Sequence, residues 1–122
     1  AKVKPDILFS TINVADYDTV IFVGGSGANE YWDNPTAHKI ANDANNAKKI
    51  VGAICIAPVT LAKAGLLKNK KATTYSSTTN DIKSTGAKYT GADVERDGNI
   101  ITASGPAAAQ KFGEAIVKAL GQ

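Results

Sequence analysis

Ile50-Val51-Gly52-Ala53-Ile54-Cys55-Ile56-Ala57-Pro58 carries an unbroken apolar run straight into a proline. Lys49 to Ile54 reads as a strand buried on both faces, the kind that parallel sheets use. Pro58 suits the first position of a short helix that carries Leu61 and Ala62 and can stop at Gly65. Because so few residues lie between strand and helix, the chain must turn sharply at Cys55, and the small Gly52 and Ala57 leave room for that turn. This is the logic of a nucleophile elbow, in which the side chain projects into a cleft and the next backbone N–H faces an oxyanion. A helix start beside the sulfur favours thiolate over thiol. Taken alone, a cysteine after an apolar strand reads first as a small core hydrophobe. The segments around it turn the reading towards chemistry.

Upstream, Thr19-Val20-Ile21-Phe22-Val23 is a second continuously apolar strand, stopped by Gly24-Gly25-Ser26-Gly27. Such a loop can bring backbone N–H groups close to a developing negative charge, although by itself it is also simply a tight turn. It lacks the lysine and spacing of a phosphate-binding loop and departs from G-x-G-x-x-G, so no nucleotide cofactor is assigned. Asn34 and Pro35 read as N-cap and first turn of a helix whose Ala37, Ile40, Ala41, Ala44 and Ala47 share one face.

Downstream, Ala72-Thr73-Thr74-Tyr75 reads as a third strand, and Thr79 to Lys83 as a short helix before a turn at Ser84 to Gly86. Val94-Glu95-Arg96 and Asn99-Ile100-Ile101-Thr102 flank Asp97-Gly98, a pair suited to a tight hairpin turn. Pro106 opens a final helix in which Ala108, Phe112, Ala115, Ile116, Ala119 and Leu120 form an apolar stripe, with Gly121 beyond its end. Strands alternating with helices imply a mainly parallel sheet covered on both sides, with ligands beyond the C-terminal strand ends. Both Gly25 and Cys55 fall at such ends.

The chain has 122 residues, 43% hydrophobic and 20% charged, which is enough to build a core without disulfides or metals. One cysteine cannot form an internal disulfide, and no metal or other cofactor is called for. The formal net charge of +3 comes from lysines spread along the chain, with Lys68, Lys70 and Lys71 grouped in what reads as a solvated turn. A nucleic-acid footprint would need a clustered basic face, so no nucleic-acid partner is expected. No apolar run approaches the roughly 18 residues that cross a bilayer, and Ala1 to Pro5 has no apolar signal region; a reducing cytoplasm is the expected setting.

Asp18 to Gly25, Gly52 to Pro58 and Asp97-Gly98-Asn99-Ile100-Ile101-Thr102-Ala103-Ser104-Gly105-Pro106, in this order and spacing, resemble the ThiJ/PfpI superfamily over nearly the whole chain. The resemblance implies a flavodoxin-like three-layer α/β/α sandwich with a mostly parallel sheet, related to the class I glutamine amidotransferases. It implies a reactive Cys55, an oxyanion site made by the backbone N–H groups of Gly25 and Ile56, and a pocket bordered by Gly24, Ser26, Tyr75, Ser104, Gly105 and Pro106. It also implies a homodimer.

Two departures from the family pattern stand out. Protease-like members place a histidine directly after the cysteine, where this chain has Ile56, which cannot transfer a proton. The only histidine, His38, falls in the helix after the glycine loop, where a solvent-facing role is expected, and Tyr75 stands where one branch of the family carries a histidine. Members also begin with a strand, a helix and another strand that supply a glutamate touching the cysteine. No such segment precedes Ala1, so residues 1–122 are expected to be one domain whose first strand–helix–strand has been cleaved away, lies outside this sequence, or comes from another chain.

Three functions follow from the resemblance. The first is cysteine-dependent chemistry on small carbonyl compounds, as glyoxalase- and deglycase-like members perform it. The second is a redox-responsive or chaperone-like stress protein in which Cys55 is oxidised reversibly. The third is an intracellular peptidase or amidase acting on peptides, which Ile56 weakens. Glu30, Tyr31 and Trp32 follow the glycine loop and could rim the pocket, with packing against the helix the expected job of Trp32.

Overall fold

The computed structural model describes residues 19–23 and 35–120. Among these residues the main sheet has four strands in the order β1-β2-β6-β5: β1 (Thr19–Val23), β2 (Ile50–Ile54), β6 (Ile100–Ala103) and β5 (Val94–Asp97). The first three run parallel, with Val23 beside Ile54 and Ile54 beside Ala103, so they end level at one edge of the sheet. β5 returns antiparallel to β6, with Asp97 opposite Ile100. β3 (Lys71–Ala72) and β4 (Lys88–Tyr89) pair parallel in a separate small sheet.

Alternation along the strands divides the core in two. On one face Phe22, Val51, Ala53 and Ile100 pack with Ala37, Ile40, Ala41 and Ala44 of α1 (Pro35–Asn46), Leu61 of α2 (Pro58–Lys63) and Ile82 of α3 (Thr79–Lys83). On the other, Ile50, Ile54, Ile101 and Ala103 pack with Phe112 and Ile116 of α4 (Ala109–Ala119). A period of two sends successive side chains to opposite sides, so a strand flanked on both sides by helices must be apolar throughout. β2 is buried at all five positions. Removing a side chain such as Leu61 or Leu67 from water contributes about 1.5–3 kcal/mol, and both are fully buried.

The expected strands and helices are found, with the following corrections. The third strand is paired only at Lys71–Ala72, because beyond it the backbone bonds to side chains and to a turn instead of to a ladder: Thr73 N–H donates to Thr102 Oγ1 (2.9 Å) and Tyr75 N–H to the Cys55 carbonyl (2.9 Å). The hairpin loop is Gly98-Asn99 and not Asp97-Gly98; Asp97 stays in the ladder, and of these residues only Gly98 has a positive φ, +65°. Pro106 opens a single 3-10 turn (Pro106–Ala108) before α4, and Leu120, at the end of the stripe, is exposed. Gly52 is small for a reason other than the turn: a Cβ there would stand 3.0 Å from Phe112 Cζ, so the glycine is what lets α4 lie against the sheet. Ala47 lies past the end of α1 and is exposed, while Pro35 begins it as expected; Asn34 lies outside the described residues.

Candidate functional site

The site grows from the level ends of β2 and β6. Ile54 closes β2, and Cys55 follows with φ +67°, in the left-handed region that non-glycine residues seldom occupy. Residues 55–57 make the turn into α2, with Ala57 N–H donating to Ile54 O at 3.2 Å and Val59 N–H to Ile56 O at 3.3 Å. A left-handed cysteine costs about 1–3 kcal/mol and persists only where its surroundings hold both flanking peptides. They do so here: Cys55 N–H donates to Ala103 O (3.1 Å), and Cys55 O accepts Tyr75 N–H (2.9 Å) and Thr74 Oγ1–H (3.0 Å).

Cys55 is a free thiol, half-buried, resting against the cluster formed by Ile54, Ala103 and Phe112. It is neither sealed in the core nor fully exposed. Ile56 is also half-buried, and no hydrogen bond from its N–H is found among the described residues. An amide proton directly after the cysteine is therefore available to a bound oxygen.

Tyr75 is 43% exposed. Its backbone is tied to Cys55, and its ring lies against Gly105, where a Cβ would come within 3.2 Å of Cδ1. Gly105 is buried and keeps an extended backbone, so its glycine is explained by this close approach and not by its φ. Ser104 is half-buried and donates its N–H to Asp93 O (3.0 Å), while Pro106 is exposed. The structure thus brings Cys55, Tyr75 and Gly105 together, with Ile56 and Ser104 next in the chain. Gly24, Gly25 and Ser26 of the glycine loop, and Glu30, Tyr31 and Trp32 after it, lie outside the described residues. His38 is half-buried on α1, where its carbonyl accepts Asn42 Nδ2–H.

Sequence reasoning passed over Thr74 and Thr78, both buried. Their signal was the unbroken polarity of Thr73-Thr74 and Thr78-Thr79 beside an apolar strand, since buried hydroxyls must find partners. Among the described residues no group of histidine, cysteine and carboxylate side chains is placed to hold a metal. No helix among them is long and apolar enough to cross a membrane.

Comparison with known proteins agrees with this architecture. The family model described as "DJ-1/PfpI family" matches residues 1–119. An uncharacterized protein of Methanocaldococcus jannaschii is 42% identical over 122 residues, covering 98% of this chain and 60% of the relative. A protein of Pyrococcus horikoshii named as a deglycase is 31% identical over 106 residues, covering 87% of this chain and 64% of its own length. The crystal structure of a ThiJ/PfpI domain protein from Brachyspira murdochii superposes with a TM-score of 0.92 at 32% identity, covering 95% of this chain and 67% of that one. The chain spans a little under two thirds of the curated relatives it matches. With a mostly parallel sheet, helices on both faces and these likenesses, the fold is flavodoxin-like, and the chain belongs to the DJ-1/PfpI family.

Proposed function

We propose that this chain carries cysteine-dependent chemistry on small carbonyl compounds, with Cys55 as nucleophile. The observation that carries the reading is the left-handed Cys55, φ +67°, followed by an Ile56 N–H free to meet an oxygen. Archaeal relatives about 30% identical and named as deglycases agree with it. The sulfur attacks the carbonyl carbon, a C–S bond forms, and the π electrons move to the oxygen. Ile56 N–H, with Gly25 N–H as its expected companion, stabilises that charge, and a proton then converts the oxyanion to a hemithioacetal. The acid that supplies this proton is proposed to lie outside the described residues, as the family resemblance implies. Tyr75, Ser104, Gly105 and Pro106 are proposed to border the carbonyl compound, and a homodimer in the cytoplasm is the proposed assembly and setting.

Methylglyoxal consumption by wild type and Cys55→Ser tests the reading. Turnover should vanish in the serine variant while its circular dichroism stays unchanged; equal rates would sink the mechanism. Reversible oxidation of Cys55 as a stress response is a second reading, favoured by the half-exposure of this single thiol. Mild peroxide followed by intact mass distinguishes it: addition of oxygen at Cys55 in a protein without aldehyde turnover supports sensing. Peptide hydrolysis ranks below both, because Ile56 offers no proton where protease-like members carry a histidine.

A further inference from the structure

The carbonyl of Cys55 and the N–H of Ile56 are the two ends of one peptide unit. A trans peptide is planar, so whatever grips the carbonyl fixes the opposite direction in which the N–H points. The grip here is a pair of buried threonines. Thr74 Oγ1 lies 3.0 Å from Cys55 O and 2.8 Å from Thr78 Oγ1, and Thr78 Oγ1 lies 3.0 Å from Tyr75 O. Thr74 is 1% and Thr78 4% exposed, so water does not compete for these contacts.

Two hydroxyl protons serve three contacts. With its one proton donated to Cys55 O, Thr74 can only accept from Thr78, so the Thr78 hydroxyl proton is shared between Thr74 Oγ1 and Tyr75 O, which also accepts Thr78 N–H at 2.9 Å. The second lone pair of the Cys55 carbonyl takes Tyr75 N–H. Hydrogen bonds in a chain polarise one another by roughly 10–30% per bond. Charge drawn toward the carbonyl oxygen makes the N–H at the other end of the same amide a stronger donor.

We infer that Thr74 and Thr78 are positioning residues, a hydroxyl chain that holds and polarises the Cys55–Ile56 peptide so that the Ile56 N–H is aimed and strengthened as an oxyanion donor. The inference rests on the reading of Cys55 as the nucleophile, but half of it can be measured without turnover. Thr73 is a neighbour that acts elsewhere. Its Oγ1 donates to Ala92 O (2.6 Å) and its N–H to Thr102, so it anchors the segment to β6 without touching Cys55.

The test uses Thr74→Val, Thr74→Ser and Thr78→Val, each followed by methylglyoxal kinetics, the Ile56 amide nitrogen resonance and the thermal midpoint. Thr74→Val should lower kcat about five-fold, the size of one lost neutral hydrogen bond, with KM little changed, and should move the Ile56 nitrogen upfield. Thr74→Ser should restore both. Thr78→Val, one step further along the chain, should shift the resonance in the same direction by less, and it carries the test if Thr74→Val does not fold. Absence of turnover in wild type would count against the nucleophile reading alone, and the resonance would then decide here. An unmoved Ile56 resonance in both valine variants, or a serine variant as impaired as the valine one, would overturn the inference.

Discussion

Three non-glycine residues among those described have a left-handed backbone, and they fall into two kinds. Lys48 (φ 59°) and Asn69 (φ 64°) are exposed and lie in the turns that bring the chain from a helix back to a strand. At Lys48 the left-handed residue is part of how a helix stops, since it lets Lys49 N–H reach Ala44 O at 2.9 Å, while Asn69 lies in a turn beyond α2 that Lys70 N–H closes on Leu67 O at 3.0 Å. Cys55 (φ 67°) is at the opposite kind of junction, where a strand enters a helix and no helix end has to be capped. Its conformation is held by groups from elsewhere in the chain, Ala103, Thr74 and Tyr75. The same angle is ordinary in one place and imposed in the other. Imposed backbone geometry is where a functional reading starts.

Substituting valine at the two kinds of position should separate them most. A β-branched side chain is strained at positive φ. At Lys48 the exposed turn, bonded only locally, can relax into another shape, and a loss of about 1 kcal/mol is expected, while at Cys55 the three hydrogen bonds block relaxation and the loss should reach about 2–3 kcal/mol. Urea unfolding of the two variants gives the comparison directly; equal losses would mean that the elbow is no more constrained than a helix stop. A smaller effect is expected just before the elbow, within β2. Gly52→Ala places a methyl group 3.0 Å from Phe112 Cζ, and the ring must shift on the sheet, at a cost of about 1–2 kcal/mol. Little change in the unfolding midpoint would show that α4 can ride outward freely.

Much of this layout was legible because the decisive segments carry redundant signals. β2 is apolar at every position and bounded by Pro58, so strand, turn and helix were each marked by their own residues. The stripe on α4 was readable from its period, down to the burial of Phe112 and Ile116. Residues 73–75 misled, because β-branched residues mark extended chain and not the partner that extended chain finds. Thr73 and Tyr75 spend their amides on Thr102 and Cys55, which are 29 and 20 positions away in sequence (102 − 73 and 75 − 55). No local pattern encodes such contacts. Position 55 was readable as a sharp turn from its neighbours; the hydroxyls that hold it became visible only once the chain had been brought around.

The smallest expected effect tests the comparison from the other side. Glycine relieves a left-handed position, at an entropic cost that leaves a net gain of about 0.5 kcal/mol where nothing else is lost. Lys48 is exposed and belongs to neither core cluster, so Lys48→Gly should raise the unfolding midpoint slightly. Cys55→Gly relieves the same angle but removes a half-buried side chain packed against the cluster that includes Ile54, Ala103 and Phe112, worth about 1 kcal/mol, so stability there should stay level or fall. The sign of the difference decides. A Cys55→Gly variant level with or below wild type shows that the packing of the side chain offsets its strain, whereas one clearly more stable than Lys48→Gly would mean that its packing contributes nothing.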